Sequence, residues 1–255
     1  MNFLAHLYYT QNLGYSALNT ARCALSTVVY LNQQITFGQH PLVKRLLKGI
    51  FQERPSFPKY TKTWDVNIVF NYIKSMQNNE SLSLRDLTFK VAILLKLLTL
   101  QRSQTLQKLK VTDIHIDDQS VHIYVSSLLK QSRPGNHLKP IKLNRFDDDK
   151  NICVVSALEL YLLKTVAIRN DTDQLFISYL RPHKAVTVGT IAKWIKRMLS
   201  LSGVNVTTFG SHSTRAASAS AVYNYGCGIE TIMNAAGWSE AETFKRFYNL
   251  PFNCH

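Results

Sequence analysis

The sequence predicts a mainly α fold with a small antiparallel β-sheet, an α+β class, and three observations carry that expectation. Apolar residues recur at three- and four-residue spacing along much of the chain, the period of helices with one buried face. Apolar and polar residues alternate in Val121-His122-Ile123-Tyr124-Val125, which is followed by a Pro134-Gly135 turn centre and a return run from Leu138 to Leu143. The segment Ser213 to Tyr225 is rich in alanine (Ala216, Ala217, Ala219, Ala221), the residue that loses least on entering a helix.

In chain order, helical periodicity runs from about Ser16 to Leu31 and from Pro41, a residue suited to a first helical turn, to Phe51. Arg54-Pro55-Ser56-Phe57-Pro58-Lys59-Tyr60 then breaks the pattern with two prolines and marks a linker. Asp65 to Met76 reads as a helix, and Ser83-Leu84-Arg85-Asp86 offers a capping-box start for the apolar helix that ends near Arg102. The hairpin strands come next, with Lys130 beside the turn Arg133-Pro134-Gly135-Asn136. A helix from about Val154 to Ile168, a short strand at Leu175-Phe176-Ile177 and an amphipathic helix from about Val188 to Leu201 follow. Beyond the alanine-rich helix, Gly237 is the stop of another. Ser239-Glu240-Ala241-Glu242 starts a last short helix, with Lys245 and Arg246 in its final turn and Tyr248 at its end.

Thirty Lys and Arg stand against sixteen Asp and Glu, a formal charge of +14, and the sequence pI is about 9.7. This is the balance of a protein whose partner is a polyanion. Residues 1 to 54 hold five Lys and Arg against one acid, and the remainder is basic too, so both parts suit such a partner. The opening Met1-Asn2-Phe3-Leu4-Ala5-His6 lacks the zones of a signal peptide, and no apolar run reaches transmembrane length, so no membrane partner is expected. Cys23, Cys153, Cys227 and Cys254 are scattered without metal-ligand spacing and read as thiols of an intracellular protein with no metal site.

The chemistry lies in the order of polar residues near the carboxyl end. His212 and Arg215, three apart at the head of the alanine-rich helix, project from one face and can meet one phosphate. Trp238 sits in the corner after Gly237, and Tyr248 closes the last helix. A hydroxyl nucleophile attacking a DNA phosphate needs cationic donors around the phosphorane and a proton carrier beside the attacking or leaving oxygen. His212, Arg215, Trp238 and Tyr248 supply those types. Singly, each has a plainer reading: a solvated helix face for the pair, a core aromatic for Trp238, one of twelve tyrosines for Tyr248. Arg181, Lys184, Lys193, Lys196 and Arg197, with Lys59 and Lys62 at the linker, are candidate contacts to a DNA backbone or else a solvated face.

The wording HSTRAASASAVYNYG followed by IMNAAGWSEAETFKRFYN resembles the C-terminal signature of the tyrosine recombinases, or phage-integrase family. It looks most like recombinases of eukaryotic DIRS, Ngaro and Crypton elements, since bacterial and phage integrases more often carry Gly-His where this chain has Gly237-Trp238. The resemblance implies a first phosphate-binding arginine after a hydrophobic helix, and Arg102 follows Val91-Ala92-Ile93-Leu94-Leu95-Lys96-Leu97-Leu98. It implies a lysine near the hairpin turn that protonates the leaving 5′ oxygen, for which Lys130 is the best match and Lys139 the second. Many relatives carry a carboxylate three residues after that arginine, whereas this chain has Thr105.

The resemblance further implies a helical core-binding-like DNA-binding domain over 1–54 and a catalytic domain of the DNA breaking-rejoining fold over 55–255. The first is shorter than usual in the family, so truncation at the amino end is expected. Asn249 to His255 leave only a very short exchanged segment, or a sequence cut before it. The implied activity is site-specific recombination or integration of a mobile element through a 3′-phosphotyrosyl intermediate on Tyr248, without cofactor. The implied partner is double-stranded DNA, bound by a homotetramer on two duplexes, in the nucleus if the element is eukaryotic. Two other readings stay open: a domesticated or defective DNA-binding protein, and a type IB topoisomerase-like enzyme that relaxes DNA.

Overall fold

The computed structural model describes residues 2–32, 35–55, 57, 60–129, 132, 139–239, 241–242, 244 and 248–252. The chain forms two units, Met1–Lys59 and Tyr60–His255. Among the described residues, no helix is long and apolar enough to cross a membrane.

In the first unit α1 (Asn2–Tyr9), α2 (Tyr15–Val28) and α3 (Pro41–Glu53) enclose a core of Leu4, Tyr8, Leu18, Val43, Leu47 and Ile50. Pro41 occupies the first turn of α3, and the His40 ring nitrogen accepts the Leu42 N–H at 3.2 Å. The helix expected to reach Leu31 stops at Val28. Val29 is extended (φ −116°, ψ 113°), and β1 (Tyr30–Asn32) pairs antiparallel with β2 (Ile35–Thr36). The run Val28-Val29-Tyr30 is β-branched and aromatic, which suits a pleated strand better than a helix end. The α1 helix is an addition to the expected elements.

In the second unit α4 (Val66–Ser75) begins where the Asp65 carboxylate accepts the Asn67 N–H at 2.9 Å. The central helix α5 (Leu84–Thr99) begins with Ser83 accepting the Asp86 N–H at 3.1 Å, one of the two bonds of the expected capping box. Every residue from Leu87 to Leu97 is buried, so the middle of α5 is covered on all sides. A short helix, α6 (Ser103–Lys108), follows it without a sequence signal, because its N-cap Arg102 makes no side-chain cap bond.

The sheet has three strands, β3 (Ile114–Ile116), β4 (Ser120–Ile123) and β5 (Ile141–Asn144), in the order β3-β4-β5, all antiparallel. Val121 pairs with Leu143 and Ile123 with Ile141, the hairpin expected from the alternating run. Its turn, 133–136, lies outside the described residues. The strand expected at Leu175-Phe176-Ile177 is instead an extended buried segment with isolated bridges at Gln174 and Ile177. Its donors go to scattered acceptors, Leu175 N to Leu109 O and Ile177 N to the Tyr161 hydroxyl, so no ladder forms.

The remaining helices are α7 (Val154–Thr165), α8 (Val188–Leu201), α9 (Ser213–Asn224) and α10 (Ile229–Ala236). α7, α8 and α9 all pack on α5. Every residue of α9 from Ser213 to Ala221 is buried, and apart from Thr214 and Arg215 these are alanines and serines, small enough to let neighbouring helices close in. Most of the helix expected after Ser239 falls outside the described residues.

Candidate active site

Arg102 is placed by the way α5 ends. Leu100 adopts a left-handed conformation (φ 56°, ψ 17°), which stops the helix and turns the chain so that Arg102, half-buried, heads α6. Its neighbour Gln101 is buried and held on several sides. The Gln101 amide donates to Ala235 O at 2.6 Å, and the Thr105 hydroxyl donates to Gln101 Oε1 at 3.3 Å. Thr105, which stands where many relatives carry a carboxylate, thus binds the glutamine beside the arginine.

Arg215 lies in the first turn of α9 and is only 4% exposed. Its Nη2 donates to Ala236 O, while Nε and Nη1 are buried without a partner among the described residues. Its guanidinium carbon sits 4.7 Å from the ring centroid of Trp238 and 5.7 Å from that of Tyr248. The indole Nε1 of Trp238 is also buried and unpartnered among the described residues. Buried donors without acceptors are costly, of order 1–3 kcal/mol each, and charged ones more, so their gathering on adjacent side chains marks a place for an anion. Burial, and next the positive charge of Arg102, lower the Arg215 pKa, while Tyr248 opposes the shift. Arg102 therefore lies within electrostatic reach of Arg215, although 113 positions separate them in the sequence.

Tyr248 reaches this place through a turn and a serine clasp. Gly237 takes the left-handed conformation (φ 65°, ψ 44°) that ends α10 and sends the chain into Trp238. The rings of Trp238 and Tyr248 stack at 4.3 Å with 29° between planes. Tyr248 N donates to Phe244 O at 2.9 Å, and Phe244 is fully buried against Trp238. The Ser220 hydroxyl, on α9, donates to Tyr248 O at 2.6 Å and accepts from Leu250 N at 3.0 Å. Trp64 Nε1 donates to Ser213 Oγ at 2.9 Å, and Thr63 N to Pro251 O at 2.9 Å, so the segment before α4 is tied to both α9 and the chain after Tyr248.

His212 is exposed at the head of α9, and its carbonyl accepts the Arg215 N–H at 3.3 Å. The structure thus gathers Arg215, Trp238 and Tyr248, with Arg102 within electrostatic reach and His212 three residues before Arg215. Lys130 and Lys59 lie outside the described residues. Lys139 is exposed and borders a cavity of about 290 Å³ that also touches Asn234 and Ala235. Lys62, Arg181, Lys184, Lys193, Lys196 and Arg197 are all exposed. Lys193 and Arg197 line a groove of about 780 Å³ with Tyr72, Arg85, Asp86 and Tyr179, apart from the residues around Arg215.

Lys96 is a neighbour of the site that the sequence alone does not single out. It is 1% exposed, and its Nζ donates to Gln101 O at 2.8 Å and Ser103 Oγ at 3.3 Å. Burial first, then the charges of Arg215 and Arg102, push its pKa down to about 7. The available signal is a single lysine inside the apolar run Val91 to Leu98.

Comparison with known proteins agrees with this architecture. The chain is similar to the XerH site-specific recombinase bound to its palindromic difH substrate in a post-cleavage complex (TM-score 0.62, 15% identity, covering 95% of this chain and 65% of that one). It is similar to the Tn1549 transposon integrase in complex with transposon right end DNA (TM-score 0.61, 13% identity, 97% and 78% covered). The XerA recombinase is a third likeness (TM-score 0.54, 18% identity, 97% and 76% covered). At these identities the likeness is one of fold. Curated protein sequences give no match. The family model described as "Phage integrase family" matches residues 67–253, most of the second unit, and on that match the chain belongs to the phage integrase family.

Proposed function

We propose that this chain is a tyrosine recombinase that cleaves and rejoins DNA through a 3′-phosphotyrosyl intermediate. The observation that carries the reading is the set of unpartnered buried donors on Arg215 and Trp238 beside the ring of Tyr248, with the charge of Arg102 acting on the same place. Two guanidiniums that stay charged throughout hold the non-bridging oxygens of the scissile phosphate, and their attraction grows as the phosphorane gains negative charge. The phenolic oxygen of Tyr248 attacks phosphorus, the bond to the 5′ oxygen breaks, and that oxygen takes a proton. By family resemblance Lys130 gives this proton and His212 shuttles the one from the phenol. One phosphodiester is exchanged for another, so the bond energy is kept until a 5′ hydroxyl from a second strand attacks.

Exchange between duplexes requires four strands to be cut, which favours a homotetramer on two DNA molecules. The basic first unit, read as a core-binding-like domain over 1–54 before a catalytic domain over 55–255, would hold one duplex through phosphate contacts. The Gly237-Trp238 wording favours a mobile element of the DIRS, Ngaro or Crypton kind, acting in a nucleus. Nicked suicide duplexes, drawn from a randomised pool by covalent capture, test the chemistry. A covalent adduct that Tyr248→Phe abolishes supports the reading, and its absence refutes it. Products joined between two duplexes identify a recombinase, whereas relaxation of supercoiled plasmid without such products identifies a topoisomerase-like enzyme.

A further inference from the structure

We propose that Lys96 is a positioning residue of this reaction, holding the turn that presents Arg102 and adding a third positive charge behind the scissile phosphate. The inference rests on the assignment of Arg102 and Arg215 to that phosphate. It begins from cost: an ammonium group at a buried position of the central helix, 1% exposed, loses its hydration, and apolar side chains flank it along α5. What it receives in return is specific. Its two hydrogen bonds go to Gln101 O and Ser103 Oγ, the residues immediately before and after Arg102. Gln101 is then gripped at its carbonyl by Lys96 and at its amide by Ala235 and Thr105, so the backbone carrying Arg102 has little freedom.

A neutral donor could make those bonds, so the charge has a separate consequence. The groups that act on Lys96 are Arg102, at the head of α6, and Arg215, on α9, both cations. From α7 and α8, which also pack on α5, no titratable group among the described residues acts on it. With its pKa lowered to about 7, the lysine is partly deprotonated at neutral pH before DNA binds. A phosphodiester between the two arginines favours the charged form, and a phosphorane, with more negative charge, favours it further. The site therefore takes up a proton as it engages DNA, and the added charge counts most in the transition state.

The test uses the full chain with nicked suicide duplexes in single turnover, comparing Lys96→Met, which removes bonds and charge, with Lys96→Gln, which keeps donors and removes charge. Lys96→Met is expected to slow adduct formation about 100-fold, the scale of a misplaced binding group, and Lys96→Gln to recover most of that loss. The ratio of the unaltered rate to the Lys96→Gln rate is expected to fall as pH rises from about 6 to about 9, because, of the two side chains compared, only the lysine loses a proton, while groups common to both proteins cancel in the ratio. A ratio that does not change with pH, or a Lys96→Met variant that cleaves at the unaltered rate, overturns the proposal. Should Lys96→Met fail to fold by circular dichroism, the Lys96→Gln ratio alone decides. Failure of the unaltered chain to form any adduct overturns the reaction itself and this role with it, a result distinct from either of those.

Discussion

Gln101 and Arg215 donate to consecutive carbonyls, Ala235 and Ala236, at the end of α10. The last carbonyls of a helix lack partners within it and carry its negative dipole end, so they suit an amide and a guanidinium. Arg102 follows Gln101, and Trp238 follows the left-handed Gly237 that ends the same helix. Three proposed phosphate ligands therefore take their position from one helix end, and a shift of α10 moves them together.

Arg215→Lys keeps a positive charge, but its donors all sit on one nitrogen and cannot reach Ala236 O and grip a phosphate at once as the three nitrogens of the planar guanidinium can. Adduct formation in single turnover is expected to fall at least about 100-fold, with the circular dichroism spectrum unchanged. A loss smaller than about 3-fold would place the phosphate elsewhere.

Trp238→Phe retains an aromatic face for the stack with Tyr248 and for Arg215 while deleting the unpartnered Nε1 donor. Cleavage is expected to drop about 10-fold with urea stability nearly kept. Trp238→Ala also opens a cavity against Phe244 and is expected to cost about 3 kcal/mol in the same denaturation experiment. Equal cleavage by the indole and phenyl side chains would remove Trp238 from the donor set.

Lys90 offers a stability test away from the site. Its Nζ is buried without a hydrogen-bond partner among the described residues, and burial pushes its pKa down to about 8, against the opposing pull of Asp149 and Glu80. Between that value and the ordinary lysine pKa of about 10.4 the unfolded chain binds more protons than the folded one, so this group makes stability rise with pH. Lys90→Met is expected to raise urea stability by about 1–3 kcal/mol at neutral pH. The gain should shrink as the pH approaches about 10. A gain that is flat with pH would mean the amine is not the source.

Lys193 and Arg197 are exposed on one face of α8 and border the groove that includes Tyr72 and Tyr179. If that face tracks a DNA backbone, Lys193→Glu with Arg197→Glu weakens binding across sequences and lowers the salt slope by about 1 for each phosphate no longer neutralised. An unchanged slope in a fluorescence-anisotropy salt titration would assign these cations to a solvated face.

Much of this architecture is legible in the sequence where local signals and tertiary packing agree. α8 spans Val188–Leu201 as its apolar spacing predicts, and the caps at Asp65 and Ser83 and the stop at Gly237 act as their residue types suggest. The misreadings have physical causes. The Val28 to Leu31 stretch keeps helical periodicity yet turns into a strand because Ile35–Thr36 offers a partner. Leu175 to Ile177 has strand composition but no neighbouring ladder. In the site, the order His212, Arg215, Trp238, Tyr248 is readable from type and spacing, whereas the link from Gln101 to Ala235 depends on how α5 and α10 meet. A lysine within an apolar helix is visible in the sequence, but its partners lie beyond the helix end and emerge only in three dimensions.

Mapping the covalent linkage tests the proposed chemistry most directly. A trapped reaction on nicked duplex is digested with nuclease and protease, and the peptide bearing a residual 3′-linked nucleotide is sequenced by mass spectrometry. The nucleotide is expected on the phenolic oxygen of Tyr248. Attachment to any other side chain, or no attachment while the chain binds the same DNA, would contradict the assignment.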